Sequence, residues 1–285
     1  MASLKDIRRR IRATKSMQQI FKAMEMVAAA KLRRAQQRAS ASGPYAAKIT
    51  AMLANLAGAA AEQDHPLFKE REVKRGALVV ITADRGFAGA YNTNIVRAAE
   101  QRLRAVPAGA LQLVVVGRKG RDYLRRRGYP ILIAHADLPG EASLVFARAL
   151  TDDLTARFMA GEIDRVEVMY SHFVNALIRR VRTEVFLPVG AGATATAGKD
   201  RGTIFEPDAE KILAEMLPRY ATAKLYAALA DALASEHSAR MVAMGSARKN
   251  AGELVDSLTL TRNRLRQAAI TREIAELVGG AEALR

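Results

Sequence analysis

The side chains that could perform acid–base or metal chemistry are few and scattered. The chain has no cysteine, which excludes disulfides and thiolate metal sites. Its four histidines show no spacing typical of metal ligands: His65, His135, His172 and His237. Two acid–base pairs can be imagined, His135 with Asp137 and His172 with Glu184. No nucleophile triad, metal-binding helix or carboxylate-pair signature accompanies them, so the sequence gives little support for catalysis.

The segment DRGFAGAYN, residues 84–92, is placed where a phosphate-binding loop could lie. It follows a short apolar run at 77–82 and precedes a helical pattern that starts at 93, with Asn92 as its expected N-cap. Gly86 and Gly89 form only G-x-x-G. That pattern lacks the third glycine of a dinucleotide fingerprint and the lysine of a P-loop. We therefore interpret the segment as a tight strand-to-helix turn.

Short apolar runs and helical patterns alternate through the middle third of the chain. Strands are predicted at 77–82, 111–116, 131–134 and 166–170, and helices at 93–104, 118–127 and 142–159. This alternation predicts parallel βαβ units in a Rossmann-like open sheet. The extended run 174–189 is expected at the sheet edge, and the small-residue segment 191–202 is expected to be a loop.

The two ends of the chain are predicted to be long helices. Residues 219–282 lack proline, and about 60 residues of helix span about 90 Å, far beyond a small domain. We expect Asp208 to cap a preceding helix and Pro218 to kink or restart it. Arginines interrupt the run, so it cannot cross a membrane and requires a partner helix.

The N-terminal helix is the expected partner. Ser3 and Asp6 predict its N-cap, and we expect a break or bend at Gly43-Pro44. Apolar residues at spacings of three and four predict a coiled-coil seam: Met17, Ile20, Met24 and Val27. The predicted fold is α/β, with a long antiparallel coiled coil and a Rossmann-like domain. The predicted division is 1–62, 73–205 and 208–285.

The net charge of +16 predicts an acidic partner. Basic runs such as 8–10, 125–127 and 179–180 leave open a basic nucleic-acid-binding protein, although no interleaved aromatic residues favour single-strand binding. A nucleotide-dependent enzyme on the sheet is a second alternative. No apolar run reaches about 18 residues, so membrane association is expected only through partners.

Several segments in the same order resemble one known family, the gamma subunits of F-type ATP synthases. They are KDIRRRI near the start, KAMEMVAAAK at 22–31, TADRGFAGAYN in the middle, FEPD at 205–208, SEHSARMVAMGSARKNAGELV at 235–255 and RQAAITREIAELVGGA at 266–281. The turn departs from the family pattern at Phe87, Ala88 and Ala90. The resemblance covers essentially the whole chain.

This resemblance implies a non-catalytic rotor shaft without a cofactor. The implied partners are three alpha and three beta subunits around the paired helices, an epsilon subunit, and the membrane ring of c subunits. Rotation of that ring by proton flow would drive ATP synthesis at the beta subunits. The implied location is peripheral, on the cytoplasmic side of a bacterial inner membrane.

The resemblance also assigns individual positions. Met24 matches a position near the beta-subunit lever loop, and Phe205 with Glu206 matches the region that meets the membrane ring. Four residues match C-terminal positions that engage loops of the surrounding head: Arg266, Gln267, Thr271 and Glu273. No catalytic, cofactor-binding or metal-binding residue is implied.

Overall fold

The structure, a computed structural model, describes residues 3–59, 66–137, 141–189 and 209–282. The helices are α1 (Leu4–Ala59), α2 (Tyr91–Arg104), α3 (Arg118–Arg126), α4 (Leu144–Met159) and α5 (Ala209–Glu282). The strands are β1 (Gly76–Ile81), β2 (Leu111–Val116), β3 (Ile131–His135), β4 (Arg165–Phe173) and β5 (Arg179–Leu187). The predicted loop at 191–202 and the predicted cap Asp208 lie outside the described residues.

The five strands form one sheet in the order β3-β2-β1-β4-β5. The first four are parallel, and β5 lies at the edge, antiparallel to β4. Every residue of β1 is buried, as expected for a central parallel strand covered on both faces. The predicted α/β class and the edge position of the 174–189 run are confirmed.

The alternation of side chains along β1 divides the core in two. Ala77, Val79 and Ile81 belong to a cluster that includes buried residues of α4 and α5. Leu78 and Val80 belong to the opposite cluster, which includes residues of α2 and α3. The sheet is therefore sandwiched between helices, and α5 supplies a large part of one layer.

Both long helices are more continuous than their sequences suggest. Of the expected break or bend at Gly43-Pro44, the break is wrong, because α1 runs unbroken from Leu4 to Ala59; the bend stays a prediction. Of the expected kink or restart at Pro218, the restart is wrong, because α5 contains this proline within one helix; the kink stays a prediction. Pro218 is exposed while its neighbours Leu217 and Ala221 are buried in the core. Burial of those neighbours against the sheet holds the helical backbone across the proline.

The chain divides into two compact units. One contains Met1–Ala28 and Met241–Arg285, and the other contains Ala29–Arg240. We call them the helix-pair unit and the sheet unit. The helix-pair unit opens with the predicted cap: the Ser3 hydroxyl accepts a hydrogen bond from the Asp6 amide at 3.2 Å and donates to its carboxylate at 2.9 Å. These bonds hold the pKa of Asp6 below its ordinary value.

Candidate functional site

The turn after β1 uses its polar side chains to connect elements of the sheet unit. One carboxylate oxygen of Asp84 accepts hydrogen bonds from the amides of Arg118, at 2.8 Å, and Asp137, at 3.1 Å. Thr82 donates to the Val116 carbonyl at 3.0 Å and accepts from the Gly120 amide at 2.9 Å. These groups join β1 to the β2–α3 connection, which supports the interpretation of the segment as a structural turn.

The expected capping role of Asn92 is wrong. Helix α2 begins at Tyr91, with Ala90 at the N-cap position and no side-chain cap. The Asn92 side chain instead accepts a hydrogen bond from the Ala83 amide at 2.9 Å, which closes the turn onto the end of β1. Phe87 adopts a positive φ of 60° at the tip, and its ring is exposed.

Polar contacts attach the middle of α5 to this turn. The Arg240 guanidinium donates to the Glu236 carboxylate at 2.6 Å and to the Gly86 carbonyl at 3.2 Å. The buried Tyr91 hydroxyl donates to the Ala232 carbonyl at 3.1 Å. Burial raises the pKa of Glu236, an effect that Arg240 opposes, and it raises the pKa of Tyr91 well above its ordinary value.

More contacts attach α5 to the β4–β5 hairpin. Asp231 accepts from the Phe173 amide at 2.8 Å and lies 2.5 Å from the His172 ring nitrogen Nδ1. Ser238 donates to the Ala176 carbonyl at 2.7 Å and accepts from Arg179 at 3.0 Å. The residues from 231 to 240 of α5 therefore form a fixed junction with the sheet.

Neither of the two candidate acid–base pairs, His135 with Asp137 and His172 with Glu184, is present in the structure. The partner of His172 is Asp231, while Glu184 accepts from the Tyr170 hydroxyl at 3.1 Å. The His135 ring meets the ring of Phe146 edge-on at 5.1 Å, and Asp137 pairs with Arg118. Among the described residues no group of three or more potential ligands could hold a metal ion.

The helix-pair unit contains an antiparallel pair formed by the two ends of the chain. Ile7, Ile11 and Val255 form its buried apolar cluster, with Leu258 and Leu265 against it. Farther along α1, Glu25 binds Arg248 at 2.8 Å. Later residues of α1 therefore face earlier residues of α5, as predicted for an antiparallel coiled coil.

The predicted seam in α1 is wrong. Met17, Ile20 and Val27 are 53–56 % exposed, and only Met24 is half-buried. The residues that turn inward are each one position later, at Gln18, Phe21, Glu25 and Ala28. One residue corresponds to a rotation of about 100° around the helix. Spacing identified an apolar face, but that face points away from the partner helix.

Two glycines of α5 accommodate the long polar side chains of this seam. A Cβ added at Gly245 would lie 3.2 Å from a carboxylate oxygen of Glu25. A Cβ added at Gly252 would lie 2.9 Å from the amide nitrogen of Gln18. The sequence analysis did not predict these contacts between glycines and polar side chains. The pattern that could have indicated them is a separation of seven residues, which the two polar side chains share with the two glycines.

The outer surface of the helix-pair unit carries large apolar side chains at many positions. They are Met17, Ile20, Met26 and Val27 on α1, and Leu254, Leu260, Ile270, Ile274 and Leu277 on α5. Single exposed apolar residues are ordinary, but many on one thin element mark a contact surface for other proteins.

The residues assigned by resemblance lie at two separate places. Met24 is next to the Glu25–Arg248 pair, whereas Arg266, Gln267, Thr271 and Glu273 are exposed on the final turns of α5. Arg266 lies 18 positions beyond Arg248, or about 27 Å along the helix. Phe205 and Glu206 lie outside the described residues.

Comparison with known proteins gives a match over the whole chain. The ATP synthase family model matches residues 3–284. The ATP synthase gamma chain of Desulforamulus reducens is 48 % identical over 284 residues, and that of Moorella thermoacetica is 47 % identical over 286 residues. Each alignment covers 100 % of both chains. The chain belongs to the ATP synthase gamma-chain family.

Solved structures agree with this assignment. The central stalk and c ring of the Tetrahymena thermophila mitochondrial ATP synthase contain a chain with a TM-score of 0.61 and 26 % identity. That match covers 80 % of this chain and 99 % of the other. A chain of the Euglena gracilis mitochondrial ATP synthase has a TM-score of 0.71 at 20 % identity, over 99 % and 94 % of the two chains, and it supports the fold alone.

Membership in this family gives the chain a rotor role in a membrane-associated complex whose catalysis occurs in the beta subunits. No helix in the described part of the chain is long and apolar enough to cross a membrane. The family model and the gamma-chain relatives give no support to the nucleic-acid alternative.

Proposed function

We propose that this chain is the central shaft of a proton-translocating ATP synthase. In this role it couples rotation of the membrane ring of c subunits to ATP synthesis or hydrolysis at the beta subunits. The observation that carries the proposal is the full-length similarity to ATP synthase gamma chains, such as one at 48 % identity. The central-stalk chain of Tetrahymena thermophila adds a structural relative from the corresponding part of such a complex.

The helix-pair unit has the properties that a shaft inside a ring of alpha and beta subunits requires. Its inward face joins the two ends of the chain through apolar, charged and glycine contacts. Its outward face presents apolar side chains and exposed basic residues, among them Arg8, Arg9 and Arg10. Positive charge on the shaft favours an acidic ring through long-range attraction without fixing one rotational angle.

The sheet unit provides the second part of the mechanism. Its many attachments to α5 transmit a turning force between the sheet and the helix. We place the membrane ring and the epsilon subunit against this part of the chain, with Phe205 and Glu206 at the ring contact. We assign the shaft to residues 1–62 and 208–285 and the globular domain to 73–205.

The complex is proposed to lie on the cytoplasmic side of a bacterial inner membrane, with this chain attached only through its partners. The bacterial relatives, 47–48 % identical over their full length, support this location.

Co-purification tests the rotor assignment. A beta subunit carrying an affinity tag should recover one copy of this chain for every three alpha and three beta subunits. Quantitative mass spectrometry of the complex measures this ratio. Recovery of a coupled, complete enzyme without this chain would contradict the proposal. Equal copy numbers of this chain and beta would also contradict a single central shaft.

Met24→Lys tests the proposed contact between Met24 and the beta-subunit lever. The added charge should lower ATP-driven proton pumping per ATP hydrolysed, while the assembled complex is still recovered. Because Met24 is only half-buried, the change in the chain's own stability should stay below about 1 kcal/mol. Ala23→Lys, which adds the same charge at an exposed neighbouring position, is the control. Equal pumping ratios in both variants would remove Met24 from the coupling contact.

The C-terminal contact has its own test. Arg266, Gln267, Thr271 and Glu273 are proposed to bind loops of the head, so alanine substitutions there should change ATP hydrolysis by the complex without unfolding the chain. Arg272→Ala, at an exposed position between them, is the control. The same hydrolysis rate in all five variants would place the head contact elsewhere.

A further inference from the structure

A cavity with a basic wall lies within the sheet unit. Its volume is about 200 Å³, and it is lined by α1, the segment before α4, and α5. One wall is formed by three cationic residues of α1: Lys31, Arg34 and Arg38. Glu141, from the segment before α4, also lines the cavity. Ala230 and Leu233 of α5 form an apolar part of the lining.

The three cations of α1 lie on one face because their separations of three and four residues place them on successive turns. Arg38 binds Glu141 at 2.5 Å, so one positive charge has a partner in the cavity. Within the described residues, Lys31 and Arg34 form no salt bridge or side-chain hydrogen bond. Buried Glu236 is electrostatically close to Lys31, but its carboxylate binds Arg240.

The wall therefore carries three cations against one carboxylate, which leaves two positive charges without a counter-charge in the cavity. Like charges on one helix face repel each other. Lys31 and Arg34 are exposed, so both cations can reach a ligand that enters from solvent. These features suit a ligand that brings about two negative charges and several acceptor oxygens.

We propose that this cavity binds a phosphate-class oxyanion, with inorganic phosphate as the ligand that matches its charge. The Lys31 ammonium and the Arg34 guanidinium would donate hydrogen bonds to its oxygens. The volume exceeds the roughly 10–15 Å³ needed for one water molecule. It is below the roughly 300–1,000 Å³ of pockets that hold drug-sized ligands. The volume therefore suits phosphate or pyrophosphate better than a whole nucleotide.

This site does not depend on the rotor function. In an ATP synthase, however, it would give the rotor a direct response to phosphate, a substrate of ATP synthesis. A bound dianion would remove the repulsion between Lys31 and Arg34 and so stabilise this stretch of α1. Phosphate should accordingly raise the melting temperature of the full-length chain more than chloride does at the same ionic strength.

Titration of the full-length chain with inorganic phosphate at constant ionic strength tests the site, by calorimetry and by ³¹P line broadening. Lys31→Gln and Arg34→Gln should each weaken phosphate binding roughly tenfold, because each removes a charged hydrogen-bond donor. Arg33→Gln removes the same charge from the adjacent exposed position, which does not line the cavity, and should bind within about twofold of the unchanged chain. Lys31→Arg, which keeps the charge, should retain binding.

Two results would overturn the proposal. One is an equal loss of affinity in Arg33→Gln, since binding would then reflect net charge alone. The other is an absence of saturable phosphate binding by the unchanged, folded chain. Pyrophosphate and ADP complete the comparison: the size of the cavity predicts that ADP binds more weakly than pyrophosphate. Tighter binding of ADP would assign the site to nucleotides instead.

Discussion

Helix α5 packs differently in the two units. In the sheet unit it is anchored to the core, and in the helix-pair unit it presents a contact surface for other proteins. In the sheet unit, α5 buries apolar residues such as Leu217 and Leu225 in the main core and forms polar bonds with two loops. In the helix-pair unit its described apolar cluster contains three buried residues, two of them from α1. Larger apolar side chains point outward there.

A matched pair of isoleucine substitutions gives the largest contrast between the units. Ile163→Ala removes a side chain that is 1 % exposed in the main core, and Ile11→Ala removes one that is 6 % exposed in the small cluster. We expect losses of about 4 kcal/mol for Ile163→Ala and about 2 kcal/mol for Ile11→Ala, within the known range for such changes. Denaturant unfolding combined with amide hydrogen exchange in each unit measures both. A larger loss at Ile11 would reverse the comparison.

Gly117 tests how tightly the turn network of the sheet unit is built. This residue has a φ of 103°, and an added Cβ would lie 2.2 Å from the Thr82 carbonyl oxygen. Gly117→Ala should therefore cost more than about 2 kcal/mol of unfolding free energy. Gly128 also has a positive φ, but no atom lies within 4 Å of its added Cβ, so Gly128→Ala should cost about 1 kcal/mol. Similar losses in the two variants would show that the turn relaxes.

The environment of Lys224 predicts that the stability of the sheet unit depends on pH. Its ammonium donates to the Val185 carbonyl at 2.6 Å, and burial lowers its pKa below the ordinary value. Between the folded and the ordinary pKa, the unfolded chain binds more protons at this residue, so its contribution to stability rises with pH.

Lys224→Met keeps the apolar stem and removes the titrating group. The unchanged chain should gain stability relative to this variant, by at most about 1.4 kcal/mol per pH unit, as the pH rises through that window toward the ordinary lysine value. Denaturant unfolding of both proteins across this pH range measures the difference. Parallel stability curves would show that Lys224 does not contribute. Lys249→Met, at an exposed position, is the control.

The smallest expected effect concerns the polar seam of the helix-pair unit. Glu25 and Arg248 are partly exposed, with side chains 28 % and 44 % accessible, so solvent weakens their attraction. A double-mutant cycle with Glu25→Ala and Arg248→Ala should give a coupling energy of about 0.2–1 kcal/mol. The exposed pair Lys249 and Glu253 should couple less, because its distance is 3.9 Å and both side chains are more accessible. A coupling energy above 2 kcal/mol between Glu25 and Arg248 would show that this ion pair stabilises the helix-pair unit more than its exposure predicts.

The sequence predicted most of the fold because its strongest patterns are local. The apolar runs at 77–82 and 111–116 became β1 and β2 within one residue, and the long uninterrupted helical runs became α1 and α5. The prolines are the exception, because neither Pro44 nor Pro218 ends its helix. Whether Pro44 or Pro218 ends a helix depends on what holds the backbone on either side, and burial of Leu217 and Ala221 is a tertiary property.

The contact sites were less predictable for a related reason. Spacing of Met17, Ile20 and Val27 identifies an apolar helix face but does not tell whether this chain or another protein covers it. The inward face instead uses Gln18 and Glu25, whose fit over Gly252 and Gly245 depends on residues more than 200 positions away. No local pattern carries that information.

By itself the sequence determined which segments form helices and strands, that both ends of the chain are long helices, the positive net charge and the family. Each of these depends on residue identity and short-range spacing. Only the tertiary structure decided which faces of the long helices meet and that the basic residues of α1 line a cavity with α5. Those outcomes depend on the rotation and register of helices that are distant along the chain. If a helix rotates by about 100° around its axis, its apolar face turns from the partner helix to the outer surface, while the spacing of the apolar residues in the sequence stays the same.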